Sequence, residues 1–308
     1  MVTRIVLAVA FAALLWPARA GEPVAPLPVT EVASGVFVFQ GAHQLVTPQN
    51  RGAISNLGFI IGETGVAVID TGGSSVIGER LKAAIAARTT LPVRYVINTH
   101  MHPDHIFGNI AFAGPGVDFV GHAKLARAMT ARADIYIRSN ARLLDASEGA
   151  LAIVPPTVPV STTATLDLGG RTLTLQAHPT AHTDNDLTVM DEKTGTLFAG
   201  DLLFSGHTPA LDGSLKGWLA VMTRLEQTPA QRVVPGHGPA SMPWPDALKP
   251  QRRYLERLKS DIEAALKAGA PLAEAAKTAG LGEKDAWALF EDFNARNAAS
   301  AYAELEWD

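Results

Sequence analysis

Three histidines and an aspartate fall within six residues, His100-Met101-His102-Pro103-Asp104-His105, directly after the run Val93-Arg94-Tyr95-Val96-Ile97-Asn98, which reads as a buried strand. A tight loop at a strand end can aim alternate side chains at one point. His100 and His102 can therefore grip one metal ion while Asp104 and His105 grip a second, the arrangement of a metal hydrolase. Such a site needs further ligands from distant parts of the chain. With no cysteine among the 308 residues, thiolates are excluded and only His, Asp and Glu remain.

Three other positions qualify. His182 sits in His178-Pro179-Thr180-Ala181-His182-Thr183-Asp184-Asn185-Asp186, between two expected strands. Asp201 closes the strand Leu197-Phe198-Ala199-Gly200, and His237 lies in Pro235-Gly236-His237-Gly238 after the short strand Val233-Val234. Each follows a strand end, where an α/β sandwich builds its site.

The rest of the chain supports that architecture. Val36–Phe39, Gly58–Ile61 and Val66–Ile69 are short apolar runs punctuated by glycines, and Ser75–Arg88 carries Ile77, Leu81, Ala84 and Ile85 at helical spacing. His122–Ala146 predicts a second helix, and Pro155–Pro159 a surface loop. Two hairpins are expected, one joining Thr163–Leu168 to Arg171–Ala177 around Gly169-Gly170, the other joining Leu187–Asp191 to Thr196–Ala199. From Trp244 onward the pattern is helical, with Leu255, Leu258, Ile262 and Leu266 on one face. The expectation is an α/β protein, an αββα sandwich over 29–243 with a C-terminal helical region, 244–308, packed on it as packing or lid elements.

At the N-terminus, Arg4 precedes an apolar run of 12 residues, Ile5 to Trp16, then Pro17 and Ala18-Arg19-Ala20. This predicts a cleavable signal peptide, 1–20, cut after Ala20, followed by a Pro-rich linker, 21–28. The run is shorter than the roughly 20 residues that cross a bilayer. A periplasmic or secreted protein without stable membrane insertion after cleavage is expected. The mature chain would hold 24 basic and 30 acidic residues once Arg4 and Arg19 are removed, so a nucleic-acid ligand is excluded for want of a basic face.

In order and spacing, His100-x-His102-x-Asp104-His105, His182, Asp201 and His237 resemble the motif set of the metallo-β-lactamase superfamily, in its glyoxalase II-like branch. Ile69-Asp70-Thr71-Gly72 fits the first, structural motif, and the resemblance runs from about Val29 to Pro239. It implies the metallo-β-lactamase fold, a first zinc held by His100, His102 and His182, a second by Asp104, His105 and His237, and Asp201 bridging both. Iron or manganese would suit the same donors. It further implies a shared hydroxide attacking an acyl carbon, with Asp104 or Asp201 as the catalytic carboxylate that orients it and passes a proton to the leaving group.

The β-lactamases most familiar in that family place Cys or Ser where this chain has Asp201. An ester, thioester or lactone is therefore the expected small-molecule acyl substrate. β-Lactam hydrolysis is the alternative, and a non-catalytic metal-binding accessory protein the further one, disfavoured because structural metal sites close off the open water position. Asn56–Ile60, Val68–Gly73, Asn98–Asn109 and Asp212–Trp218 also resemble the exported SoxH-like quinoprotein relay system zinc metallohydrolases. That resemblance implies a periplasmic place beside a quinoprotein or cytochrome partner.

Asp70 at a strand end is expected to hydrogen-bond behind the ligands rather than to bind metal. His43, His122 and His178 read as surface or core residues. His207, six residues past Asp201, is close enough in sequence to border the pocket, and the loop from His43 to Asn56 reads equally as a flap or as an ordinary connection.

Overall fold

The computed structural model describes residues 24–307, so the expected signal peptide lies outside the described residues. Seven strands stand side by side in chain order in the first sheet: β1 (Val29–Ala33), β2 (Val36–Phe39), β3 (Leu57–Ile61), β4 (Val66–Ile69), β5 (Val93–Asn98), β6 (Asp118–His122) and β7 (Val158–Val160). The first four pair antiparallel, and β4 to β7 pair parallel. Side chains alternate between two apolar surroundings. Ala67 and Ile69 face the second sheet, whereas Val66 and Val68 face the outer helices, as a strand covered on both faces requires.

The second sheet holds β8 (Thr163–Asp167), β9 (Thr172–Ala177), β10 (Leu187–Asp191), β11 (Thr196–Phe204), β12 (Arg232–His237) and β13 (Met242–Pro243), in the spatial order β13-β12-β11-β10-β9-β8. Only β11 and β12 run parallel. Between the sheets, Ile69, Ile97 and Val120 meet Leu175, Val189, Phe198 and Val234.

Helices cover both outer faces. α1 (Ser75–Ala86) begins at Ser74, whose hydroxyl accepts from the Ile77 N–H, and buries Ile77, Leu81 and Ile85 against Phe59 and Val68. Each such side chain contributes about 1.5–3 kcal/mol. α2 (Pro103–Ile106) is one turn, and α3 (Leu125–Leu144) follows β6. On the far side α4 (Leu215–Leu225), α5 (Lys249–Lys267), α6 (Leu272–Thr278) and α7 (Phe290–Leu305) bury Trp218, Met222, Leu258 and Ala301 against Leu197, Ala199 and Val233. The result is the αββα sandwich, with the C-terminal helices packed on its second sheet. No helix among the described residues is long and apolar enough to cross a membrane.

Several elements differ from the sequence reading. β1 and β6 were not anticipated, and the helix expected from His122 starts at Leu125 because His122 still belongs to β6. The segment expected as a surface loop contains β7, at the sheet edge beside β6, where Pro159 withholds no ladder hydrogen bond. α4 was also unforeseen; Ser214 caps it by accepting from the Gly217 N–H. Finally, β11 continues through Gly200 to Phe204. The register shifts at Gly200, whose φ is 51°, and this bulge re-aims the following Asp201.

Candidate metal centre

The loop after β5 is held from behind. Asp70, at φ 56° past the end of β4, accepts from the Thr99 N–H at 2.8 Å and from the Thr99 hydroxyl at 2.7 Å. Its Oδ2 also lies 2.8 Å from His105 Nδ1. Asn98 and Asn109 exchange side-chain hydrogen bonds at 3.1 and 2.7 Å, and Thr71 donates to Asn109 at 2.8 Å. Both ends of the loop are thereby fixed, and Pro103 starts α2 at a position where its missing N–H is harmless.

Every histidine of the set uses its outer nitrogen as a donor. His182 Nδ1 meets the Ala210 carbonyl at 2.6 Å and His237 Nδ1 the Ile54 carbonyl at 3.0 Å. His105 Nδ1 donates to Asp70, and His102 Nε2 lies 3.2 Å from Asp212 Oδ2. His100 Nδ1 is 3.0 Å from Thr99 Oγ1, whose own proton is given to Asp70. A neutral imidazole carries one N–H, so the other nitrogen of each ring presents a lone pair.

Those five lone pairs converge with Asp104 and Asp201. His102 Nδ1 lies 3.1 Å from His100 Nε2 and 3.0 Å from His182 Nε2, and Asp201 Oδ2 is 3.6 and 3.4 Å from the latter two. On the other side, Asp104 Oδ2 is 3.5 Å from His105 Nε2 and 3.3 Å from His237 Nε2. Asp201 also closes this second group, at 3.2 Å from His105 and 3.5 Å from His237. Ligands about 2.1 Å from a tetrahedral cation stand about 3.4 Å apart. The two groups, His100, His102, His182, Asp201 and Asp104, His105, His237, thus have the spacing to hold one ion each.

The donor chemistry passes the same test. His105 Nε2 and Asp201 Oδ1 are buried without a hydrogen-bond partner and lie 3.2 Å apart; a proton or a metal cation between them resolves this. Burial holds His100 well below the usual imidazole range and His182 at about 3, so both are neutral donors. Burial would raise the Asp104 and Asp201 carboxyls, but His105 and His237 outweigh it and hold both well below the usual range. In return, and against their own burial, His105 is raised well above its ordinary value and His237 to about 9. The cavity demands positive charge.

The ligand set opens on a cavity of about 350 Å³ lined by apolar Val46, Leu143, Phe204 and Phe293 together with Asn140, His207 and Arg296. The loop from His43 to Asn56 forms one wall through Gln44, Leu45, Val46 and Ile54. It is fastened to the ligand segments: Ser55 donates to the Asp104 carbonyl at 2.6 Å and Asn56 to the Pro235 carbonyl at 2.9 Å. His207 lines the cavity with its ring 4.9 Å from that of His237; burial lowers it to about 4, and its Nδ1 donates to the Thr208 carbonyl at 2.7 Å. His43 packs edge-on to His207 at 6.0 Å, whereas His178 is buried against Thr188, and His122 is buried at the end of β6.

Sequence reasoning missed three contributors. Asp212, just before the cap of α4, accepts from His102 and, at 2.8 Å, from Arg132. Its visible signals were its place at the head of the segment Asp212–Trp218 and two residues before a capping serine, neither of which assigns it a role at the site. α7, read as a packing or lid element with no chemistry of its own, supplies Phe293 and Arg296 to the cavity. Gly236 makes room for a ligand, since a Cβ there would sit 1.9 Å from Asp201 Oδ1.

The sequence model of a family described as the metallo-beta-lactamase superfamily matches residues 50–237. The fold is similar to that of a metallo-beta-lactamase from Pontibacter korlensis, at 24% identity and a TM-score of 0.61, covering 75% of this chain and 99% of that one. It is also similar to the stereoselective inverting sec-alkylsulfatase Pisa1 from Pseudomonas sp., at 16% identity and a TM-score of 0.69 over 91% of this chain; the match covers 50% of that longer chain. A third similar structure, TMB-1, has 20% identity and a TM-score of 0.58 over 76% of this chain and 98% of that one. No curated protein matches the chain significantly.

Proposed function

Because the chain belongs to the metallo-β-lactamase superfamily, whose match spans more than half of it, we propose that it is an exported binuclear zinc hydrolase cleaving an acyl bond of an ester, thioester or lactone. One observation carries this reading: five imidazole lone pairs and two carboxylates, each imidazole pinned by its outer N–H, face one another across an open cavity. Divalent ions held there would supply a hydroxide nucleophile at neutral pH, by lowering the pKa of bound water to about 7, and would polarise the scissile carbonyl.

The residues divide the remaining work. His100, His102 and His182 would hold one ion and Asp104, His105 and His237 the other, with Asp201 placed between the two groups. Asp104 is 15% exposed against 4% for Asp201, so it reaches the substrate side and carries the proton to the leaving group. Asp70 and Asp212 keep His105 and His102 in the tautomers that present lone pairs inward. Phe204, Phe293, Val46 and Leu143 exclude water from the acyl group. The N-terminal residues support a periplasmic setting, and the resemblance of Asn56–Ile60, Val68–Gly73, Asn98–Asn109 and Asp212–Trp218 supports a quinoprotein or cytochrome partner.

The test is a hydrolysis screen with the zinc-loaded full chain. Turnover of an ester, thioester or lactone is expected, and Asp104→Ala should lower it about 10²–10⁴-fold with the fold intact. If no substrate turns over above the metal-free protein, the chain is a metal-binding accessory protein instead. Faster hydrolysis of nitrocefin than of a glutathione thioester would make it a β-lactamase. Periplasmic material beginning at Gly21 would bear out the export step, and retention of residues 1–20 would refute it.

A further inference from the structure

A second cavity, of about 520 Å³, adjoins the metal cavity and shares Asp212 with it. One wall is a single face of α3 and its cap, where Lys124, Arg127, Ala128, Ala131 and Arg132 recur at helical spacing. The two alanines leave room between the cations. Arg132 is committed to Asp212, 2.8 Å away, which in turn touches His102 at 3.2 Å. Lys124 and Arg127 are exposed, and among the described residues neither lies within ion-pair distance of a carboxylate. The one acid on the opposite wall, Asp184, accepts from Asn185 at 2.7 Å.

The charge here runs against that of the whole. The chain carries a formal net charge of −4, yet α3 bears Arg127, Arg132, Arg138 and Arg142 against Asp134 alone. Two cations without a carboxylate partner on a concave wall, beside the Arg132–Asp212–His102 chain, form an oxyanion receptor rather than a solvated face.

We propose that this cavity is the subsite for an oxyanion, a carboxylate or phosphate that the substrate carries away from its scissile bond, and that Lys124 and Arg127 bind it. The inference rests on the hydrolase reading and narrows it to anionic acyl compounds. The neutral part of the acyl group would lie in the apolar metal cavity while the anionic end crosses Asp212 into the basic one.

The S-butanoyl thioesters of 3-mercaptopropionate and of 3-mercaptopropionamide share a scissile bond and differ by one charge. With the zinc-loaded full chain at low salt, the carboxylate ester is expected to show a KM about tenfold lower, a gap that closes at about 0.5 M salt as exposed charges are screened. The K124A/R127A variant should raise that KM to the amide ester's value, with kcat within about twofold and the amide ester's constants unmoved. Equal KM values in the unaltered protein, or a variant that weakens both esters alike, would overturn the subsite. Should neither ester turn over, the subsite is decided by calorimetry, independently of the hydrolase reading. Glutarate and inorganic phosphate are titrated into the metal-free full chain; binding lost in K124A/R127A sustains it, and no binding by either anion refutes it. The tighter of the two identifies the oxyanion.

Discussion

The two halves of the candidate metal centre are built to different electrostatic designs. His100, His102 and His182 present three imidazole nitrogens, and burial keeps His100 and His182 neutral with no carboxylate needed to fix their tautomers, which Thr99 and the Ala210 carbonyl do. Asp104, His105 and His237 instead form a charged cluster, in which carboxylates hold protons on two imidazoles. The first half is ready for a cation as it stands. The second must exchange protons for one, and Asp201 ties the two together.

Asp201→Ala breaks the comparison most completely, because Asp201 serves both halves. Metal content should fall from two ions per chain to at most one, and turnover by about 10³-fold or more; two retained ions would deny the bridging role. Next in size is Asp70→Ala, which strikes the second half directly, through His105, and the first only through Thr99. It orphans the Thr99 N–H, the Thr99 hydroxyl and His105 Nδ1, at about 1–3 kcal/mol for each buried donor. Chemical denaturation should show that loss, and metal titration a fall of about 10–100-fold in affinity at the second half.

Gly236→Ala comes third. Its Cβ would meet Asp201 Oδ1 at 1.9 Å and the Gly200 and Asp201 backbone at 2.7 and 2.8 Å, so β11 must move, at about 1–3 kcal/mol. A stable variant with unaltered metal content would mean that Asp201 has slack. Asp212→Asn is the milder probe of the first half. It keeps an acceptor for His102 but removes the charge that faces His102 and Arg132, and should weaken the first ion about tenfold while sparing the second.

The local and the distant ligands, which both halves combine, differ in how much the sequence disclosed. Four ligands within His100–His105 follow one strand, so local spacing alone places them. Asp201 and His237 came from strand ends that the structure moves: β11 and β12 run through them, and the bulge at Gly200 that aims Asp201 is invisible without the partner strand. The alternating strands, the αββα layers and the Asp70 bonds were legible for the same local reason. Asp212, Arg296 and the Ile54 carbonyl were not, because each acts on a residue far away in sequence, across contacts that only packing creates. β7 escaped because Pro159 reads as a breaker until the neighbouring strand shows that it lies on an edge.

The smallest expected signal sharpens the comparison most directly, since it counts protons. At pH 7 the metal-free first half holds no proton beyond the tautomeric one on His100 or His182, both lowered by burial, so a cation displaces none from those two rings. His105 and His237 are raised, His237 to about 9, chiefly by Asp201 once burial is overcome, and are protonated at the same pH. Filling the second half must therefore expel about two protons. Its affinity should climb as pH rises from 7 towards 9, while that of the first half stays flat. The sign reverses for the metal-free protein: the stabilising pairs between raised histidines and carboxylates are complete below the ordinary imidazole pKa of about 6.5 and vanish as pH passes about 9. Thermal midpoints of the metal-free chain should fall over that interval, and those of the loaded chain should not. Calorimetry of zinc binding in two buffers of unlike ionisation heat reads the count; equal proton release from both halves would erase the distinction between them.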